Sequence, residues 1–175
     1  MHTIQGNTLT NTITIQASIQ LVWHAWTISE RVSEWFAPKA EIDLRVGGAF
    51  ELYFIPENTS TMNTKGCKII RVLHEKELQF TWKGPDQFTN IMNQENELTI
   101  VHVNFHKIDQ ETTNVTINHS GFKEGNDWQE AMKWHQTAWT DVLSSLKSAL
   151  EKGAGNLCCH PIEIDTGYPN STIKR

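Results

Sequence analysis

The chain is short of cysteine, has no long apolar run and no excess of positive charge, and lacks the short motifs that mark common chemistries. Three cysteines, Cys67 alone and Cys158 beside Cys159, make no disulfide framework and fit a reducing cytoplasm. No apolar stretch approaches the roughly 20 residues that a membrane span needs. Residues 1–15 are rich in Thr and Asn, with neither the basic start nor the apolar core of a signal peptide. A net charge of −5 argues against nucleic acid or an anionic membrane as the main partner. Nucleophile elbow, phosphate loop, zinc helix and paired-carboxylate motifs are all missing, so no catalytic residue and no cofactor is assigned. Two clusters look like metal sites at first sight. Adjacent cysteines chelate one tetrahedral ion poorly, and Cys158-Cys159-His160 has no second ligand pair. His102, Asn104 and His106 share a strand face opposite Val101, Val103 and Phe105, which reads as the solvated face of a half-buried sheet. No metal is expected.

What the chain does have is aromatic surface, above all seven tryptophans. Three of them, Trp128, Trp134 and Trp139, fall in the longest periodic stretch, residues 127–152. There Trp128, Ala131, Met132, His135, Trp139, Val142, Leu143, Leu146 and Leu150 follow the three-and-four spacing of a helix buried along one face. At 1.5 Å per residue that helix is roughly 38 Å long, enough to cross a small domain. Asp127 and Glu130 are spaced as a capping box, and Gly153 supplies the stop. Its first half is aromatic and its second half aliphatic.

The rest reads mostly as strands. Residues 10–16 alternate as a half-buried strand. Two short helices follow, with Ser18 and Ser29 as caps, and Pro38 ends the second. Residues 41–46 and 49–55 flank Gly47-Gly48, expected to be a two-residue hairpin turn held at its edge by Asp43 and Arg45. Residues 66–73 pair with 78–82, and 97–108 with 112–120. Between those pairs, residues 84–96 carry Phe88, Ile91 and Met92 at helical spacing, as in a short flap. Strands joined by hairpins imply an antiparallel sheet, and a sheet with one apolar face needs a cover. The expected fold is therefore α+β helix-grip. A curved antiparallel sheet of six to seven strands carries two short helices after strand 1, with a long C-terminal helix across its concave face.

Three runs carry a resemblance: Val22-Trp23-His24-Ala25-Trp26-Thr27, Trp35-Phe36-Ala37-Pro38-Lys39 and Asp43-Leu44-Arg45-Val46-Gly47-Gly48-Ala49-Phe50. Leu78-Gln79-Phe80-Thr81-Trp82, His119-Ser120-Gly121-Phe122 and the helix tryptophans agree with them downstream. Over about residues 10–152 the chain resembles the SRPBCC (START/Bet v 1-like) superfamily, in its branch named after the activator of Hsp90 ATPase homologue 1. The resemblance implies one domain over residues 1–152 with a C-terminal extension, a loop or an edge strand, over 153–175. It also implies a cavity between sheet and helix, of the kind in which relatives bind small hydrophobic molecules. Dimers are common among relatives, so a homodimer is expected. The eukaryotic activators carry an additional N-terminal domain that makes much of the Hsp90 contact. This chain is too short to include it, so an Hsp90-like partner is not the leading expectation.

The expected ligand-binding residues are the inward aromatics Trp35, Phe36, Phe50, Phe54, Phe80, Trp82, Phe122, Trp128 and Trp139, with His119 and His135 as the polar groups among them. The same rings could instead plug the space, with both histidines satisfied by core hydrogen bonds. The mouth is expected between residues 84–96 and the start of the long helix. The leading function is non-enzymatic binding of a small hydrophobic ligand in the cytoplasm. The alternatives are a co-chaperone or protein-interaction module, and a cavity-based cyclase-, lyase- or hydrolase-like enzyme using His119 or His135 as acid or base.

Overall fold

The computed structural model describes residues 2–155. The extension residues Cys158, Cys159, His160, Ile162 and Ile164 lie outside the described residues. In chain order the elements are β1 (His2–Gln5), β2 (Thr8–Ile15), α1 (Ile19–Thr27), α2 (Ser29–Trp35), β3 (Lys39–Ile42), β4 (Phe50–Tyr53), β5 (Ile69–Leu73), β6 (Glu77–Trp82), α3 (Thr89–Met92), β7 (Thr99–Asp109), β8 (Thr112–Ser120) and α4 (Asn126–Lys152). The main sheet is antiparallel with order β1-β2-β8-β7-β6-β5, and β3-β4 form a separate two-stranded sheet. Among the described residues no helix is long and apolar enough to cross a membrane.

Alternation sets the register. Leu78, Phe80 and Trp82 on β6, Val101, Val103 and Phe105 on β7, and Val115, Ile117 and His119 on β8 are all buried. Cross-strand pairing puts Leu9, His119, Val101 and Phe80 in one row across the sheet, with Thr99 opposite Trp82 beside it. A slip of one residue would turn all of these to water, so the burial of this face fixes the pairing. The long helix lies over the same face, burying Trp128, Ala131, Met132, His135, Trp139, Val142, Leu143, Leu146 and Ala149.

Four local expectations need correction. The sixth strand of the main sheet is β1, whose residues are all exposed and which exists by pairing with β2. The glycine hairpin is not a two-residue turn: Asp43 N–H donates to Ala49 O, and a longer loop lies between. Its two glycines do different jobs. Gly47 has φ 86°, which only glycine adopts freely, while a Cβ on Gly48 would collide with the Asp43 carbonyl oxygen. Asp43 and Arg45 do pair beside them, at 2.7 Å. Ser29 is the first residue of α2 rather than its cap, and its hydroxyl accepts instead from Ile42 N–H at 2.9 Å, tying α2 to β3. Finally, α4 starts one residue early, with Gly125 at the cap and no side-chain cap bond. Asp127 is thereby inside the first turn, where its charge favours the helix dipole without capping it. Ser18 and Gly153 cap as expected, Ser18 accepting from Leu21 N–H at 3.3 Å and Gly153 sitting left-handed at φ 77°.

Candidate functional site

Where the aromatic half of α4 crosses the ends of β6 and β8, two histidines and two tryptophans are buried together. Sheet register brings His119 and Trp82 there, and helical spacing brings His135 and Trp139 on successive turns. The indole N–H of Trp82 donates to His135 Nε2 at 3.1 Å, and that of Trp139 donates to His119 Nδ1 at 3.0 Å. An indole nitrogen can only donate, so both receiving imidazole nitrogens are unprotonated. Each neutral ring then carries its proton on the other nitrogen. His135 Nδ1–H donates to Ala131 O at 2.7 Å, and His119 Nε2–H donates to Thr99 Oγ1 at 2.8 Å.

Every ring nitrogen is spent. A second proton on either ring would set donor against donor. Burial pushes His135 down to about 4. Burial, and then the neighbouring His135, hold His119 well below the usual histidine range. The ring centroids of the two histidines are 5.1 Å apart. These residues therefore act as polar fasteners between sheet and helix, and neither offers a free nitrogen for the acid–base role considered from the sequence.

Beside this cluster lies a narrow crevice, open at one end. Its walls are Phe36, Phe54, Trp82, Pro85, Trp134, Ala138, Trp139 and Val142, with Met62, Asn63, Thr64, Lys83, Gly84 and His135 completing the lining. The enclosed free space is about 30 Å³, room for one or two waters. Five of the expected residues line it: Phe36, Phe54, Trp82, His135 and Trp139. The other six do not. Trp35 turns away between the short helices, its N–H bonded to Ala25 O at 2.8 Å. Phe50 and Phe80 stack on each other at 3.8 Å, fully buried. Phe122 packs between His119 and Trp128. None of these, nor His119 itself, reaches the lining. The rings thus fill most of the space that the sequence left open.

The mouth is also displaced from its expected place. Residues 62–64 and 83–85 and the middle of α4 frame it, rather than the helix start. Residues 84–96 do form a flap, in which Phe88 packs edge-on against Trp134 at 6.3 Å. Met62, Asn63, Thr64 and Lys83 were missed, because a polar loop and a strand end give no periodic signal. Of the metal candidates within the described residues, His102 bonds Glu77 at 2.8 Å and His106 is exposed.

No curated protein matches the sequence. Among solved structures, the fold is similar to the Aha1 dimer from Colwellia psychrerythraea, with 22% identity and a TM-score of 0.65 over 85% of this chain and 98% of that one. It is similar to an HSP90 activator from Plasmodium falciparum, with 19% identity and a TM-score of 0.64 over 85% and 97%. It is also similar to DynU16, a putative protein in the dynemicin biosynthetic locus, with 18% identity and a TM-score of 0.63 over 85% of this chain and 49% of that one. The family model described as Activator of Hsp90 ATPase homolog 1-like protein matches residues 16–151. The sequence runs, the helix across the sheet and this match agree, and the chain belongs to that AHSA1-like family.

Proposed function

We propose that the protein binds a small, flat, apolar molecule in the crevice between α4 and the loops at residues 62–64 and 83–85. The observation that carries this reading is an apolar slot, open at one end, with indole and phenyl walls. Sites of this kind bind by burying apolar surface and orient the ligand with few polar groups. The free space of about 30 Å³ is too small for a ligand as it stands. Binding therefore requires rim side chains to move, and two are suited to it. Met62 is a flexible thioether, and Trp134 is only half-buried. His119, His135, Trp82 and Trp139 hold the inner wall rigid meanwhile. Under this reading the protein is a binder and the histidines are structural.

Thermal shift across a panel of flat aromatic compounds, flavonoids and sterols tests this, because a ligand that binds only the folded state raises Tm. At least one compound should raise Tm in the wild type and fail to do so in Ala138→Phe, which fills the slot. A flat response over the whole panel contradicts the proposal.

A second reading, an Hsp90-directed or other protein-interaction module, is favoured by the family match and by the HSP90 activator among the similar structures. Exposed Leu44 and Val46 on the glycine hairpin give it a surface. Stimulation of a purified Hsp90 ATPase, lost in Val46→Asp, tests it. The Colwellia protein's dimeric state supports a homodimer here, to be checked by light scattering.

A further inference from the structure

The polar groups of the crevice can be accounted for one by one. Thr64 Oγ1 accepts from Leu52 N–H at 2.8 Å and donates to Phe50 O at 3.4 Å. Asn63 donates to Thr59 O and accepts from Lys65 N–H, both at 2.9 Å. His135 is spent on Trp82 and Ala131, and Trp82 on His135. Lys83 is different. Its Nζ donates one proton to Lys65 O at 2.6 Å, and it forms no ion pair with a carboxylate among the described residues. The Glu51 carboxylate nearby is turned to the Tyr53 hydroxyl at 3.0 Å and to Gly66 N–H at 2.8 Å. Two ammonium protons thus have no acceptor among the described residues, on the one charged side chain that the lining includes. The Trp134 indole N–H, also on the lining, has no acceptor among the described residues. Both unspent side-chain groups are donors.

We infer that the crevice takes a flat apolar monoanion, such as an arylacetate, with the ring in the slot and the carboxylate on Lys83. The inference rests on the crevice reading above and names the ligand's chemical class. A cation at an apolar rim loses part of its hydration when a ligand covers it, and an anion restores that loss better than a neutral acceptor. One lysine, without an arginine fork beside it, suits a single carboxylate rather than a di- or triphosphate. The protein's net charge of −5 gives no general attraction for anions, so selectivity has to come from this one residue.

The test uses 1-naphthylacetate and its neutral isostere 1-naphthylacetamide, titrated by calorimetry at low salt against wild type, Lys83→Met and Lys83→Arg. Lys83→Met keeps the apolar stem and removes the charge. The acid should bind wild type at least tenfold more tightly than the amide. Lys83→Met should erase that ratio by weakening the acid, and Lys83→Arg should restore most of it. Raising the salt to 1 M should weaken the acid alone, since a rim charge is screened. Equal binding of acid and amide to wild type, or an unchanged ratio in Lys83→Met, overturns the anion assignment and leaves the crevice reading standing. Binding of neither compound at millimolar concentration overturns both.

Discussion

The two halves of α4 bury the same kind of face by different physics. From Leu143 onward the helix presents Leu143, Leu146 and Ala149, small and branched groups that close against the sheet and α2. Its polar contacts there include a buried clamp, Ser145 Oγ to Trp35 O at 2.8 Å, and one at the edge, Lys147 Nζ to Thr14 O at 2.8 Å. From Trp128 to Trp139 the helix presents plates. Each plate has a polar edge that must find a partner once buried. Trp82 and Trp139 lie 5.2 Å apart at 46°, Trp139 and His119 at 83°, and the hydrogen bonds fix those angles. Rigid rings held at set angles cannot interdigitate as aliphatic chains do, and the crevice opens at that end. The aliphatic half holds the fold together, while the aromatic half trades close packing for a shaped wall.

This contrast can be broken in four places, in falling order of effect. Leu146→Ala should cost about 2–5 kcal/mol in urea unfolding, because the fully buried site cannot collapse around the lost methyl groups. Ligand binding by the protein that remains folded should be unaffected. Trp139→Phe keeps an aromatic plate, though a smaller one, and strips His119 Nδ1 of its donor, leaving a buried acceptor unpaired at about 1–3 kcal/mol. A loss below a few tenths would mean that water replaces the indole N–H, and the rigid-wall account would weaken.

Acid is the third lever. Both histidines have folded pKa values below their unfolded ones, so the unfolded chain binds protons that the folded chain refuses. The stabilising contribution of His135 is complete well above pH 6.5 and declines as the pH falls towards 4, and His119, held well below the usual histidine range, adds a decline of the same sign. Between its folded and unfolded values His135 contributes a slope of at most about 1.4 kcal/mol per pH unit. Replacing His135 with Gln should make stability fall less steeply with acid, as measured by unfolding at pH 7, 6 and 5. The smallest effect belongs far from both halves of the helix. Asp43→Asn breaks an exposed pair with Arg45 and should cost roughly 0–1 kcal/mol.

How far the sequence revealed this depends on the length over which a signal repeats. α4 and the β7–β8 pair were legible because their periods run for many residues and one face is fully buried. β1 was not, since four exposed residues carry no alternation and take their strand form from β2. The hairpin loop was misjudged because Gly48 is required by a backbone collision, which no spacing rule shows. Both histidines were placed on inward stripes, yet their roles depend on indoles 53 and 20 residues away in the chain. Trp35 follows the helical spacing of its neighbours but is turned by a bond to Ala25 O, away from the crevice. Lys83 stood directly after the inward Trp82, and only the three-dimensional accounting of hydrogen bonds sets it apart.

The central claim is that the aromatic half of α4 walls a ligand crevice while the tryptophans of the short helices are packing. The indole N–H resonances of the seven tryptophans report on this separately. In a ¹H–¹⁵N titration with 1-naphthylacetate, the signals of Trp82, Trp134 and Trp139 should shift with saturation, Trp134 most, while Trp23, Trp26 and Trp35 stay in place. Shifts confined to Trp23, Trp26 and Trp35, or no saturable shift at any indole, would contradict it.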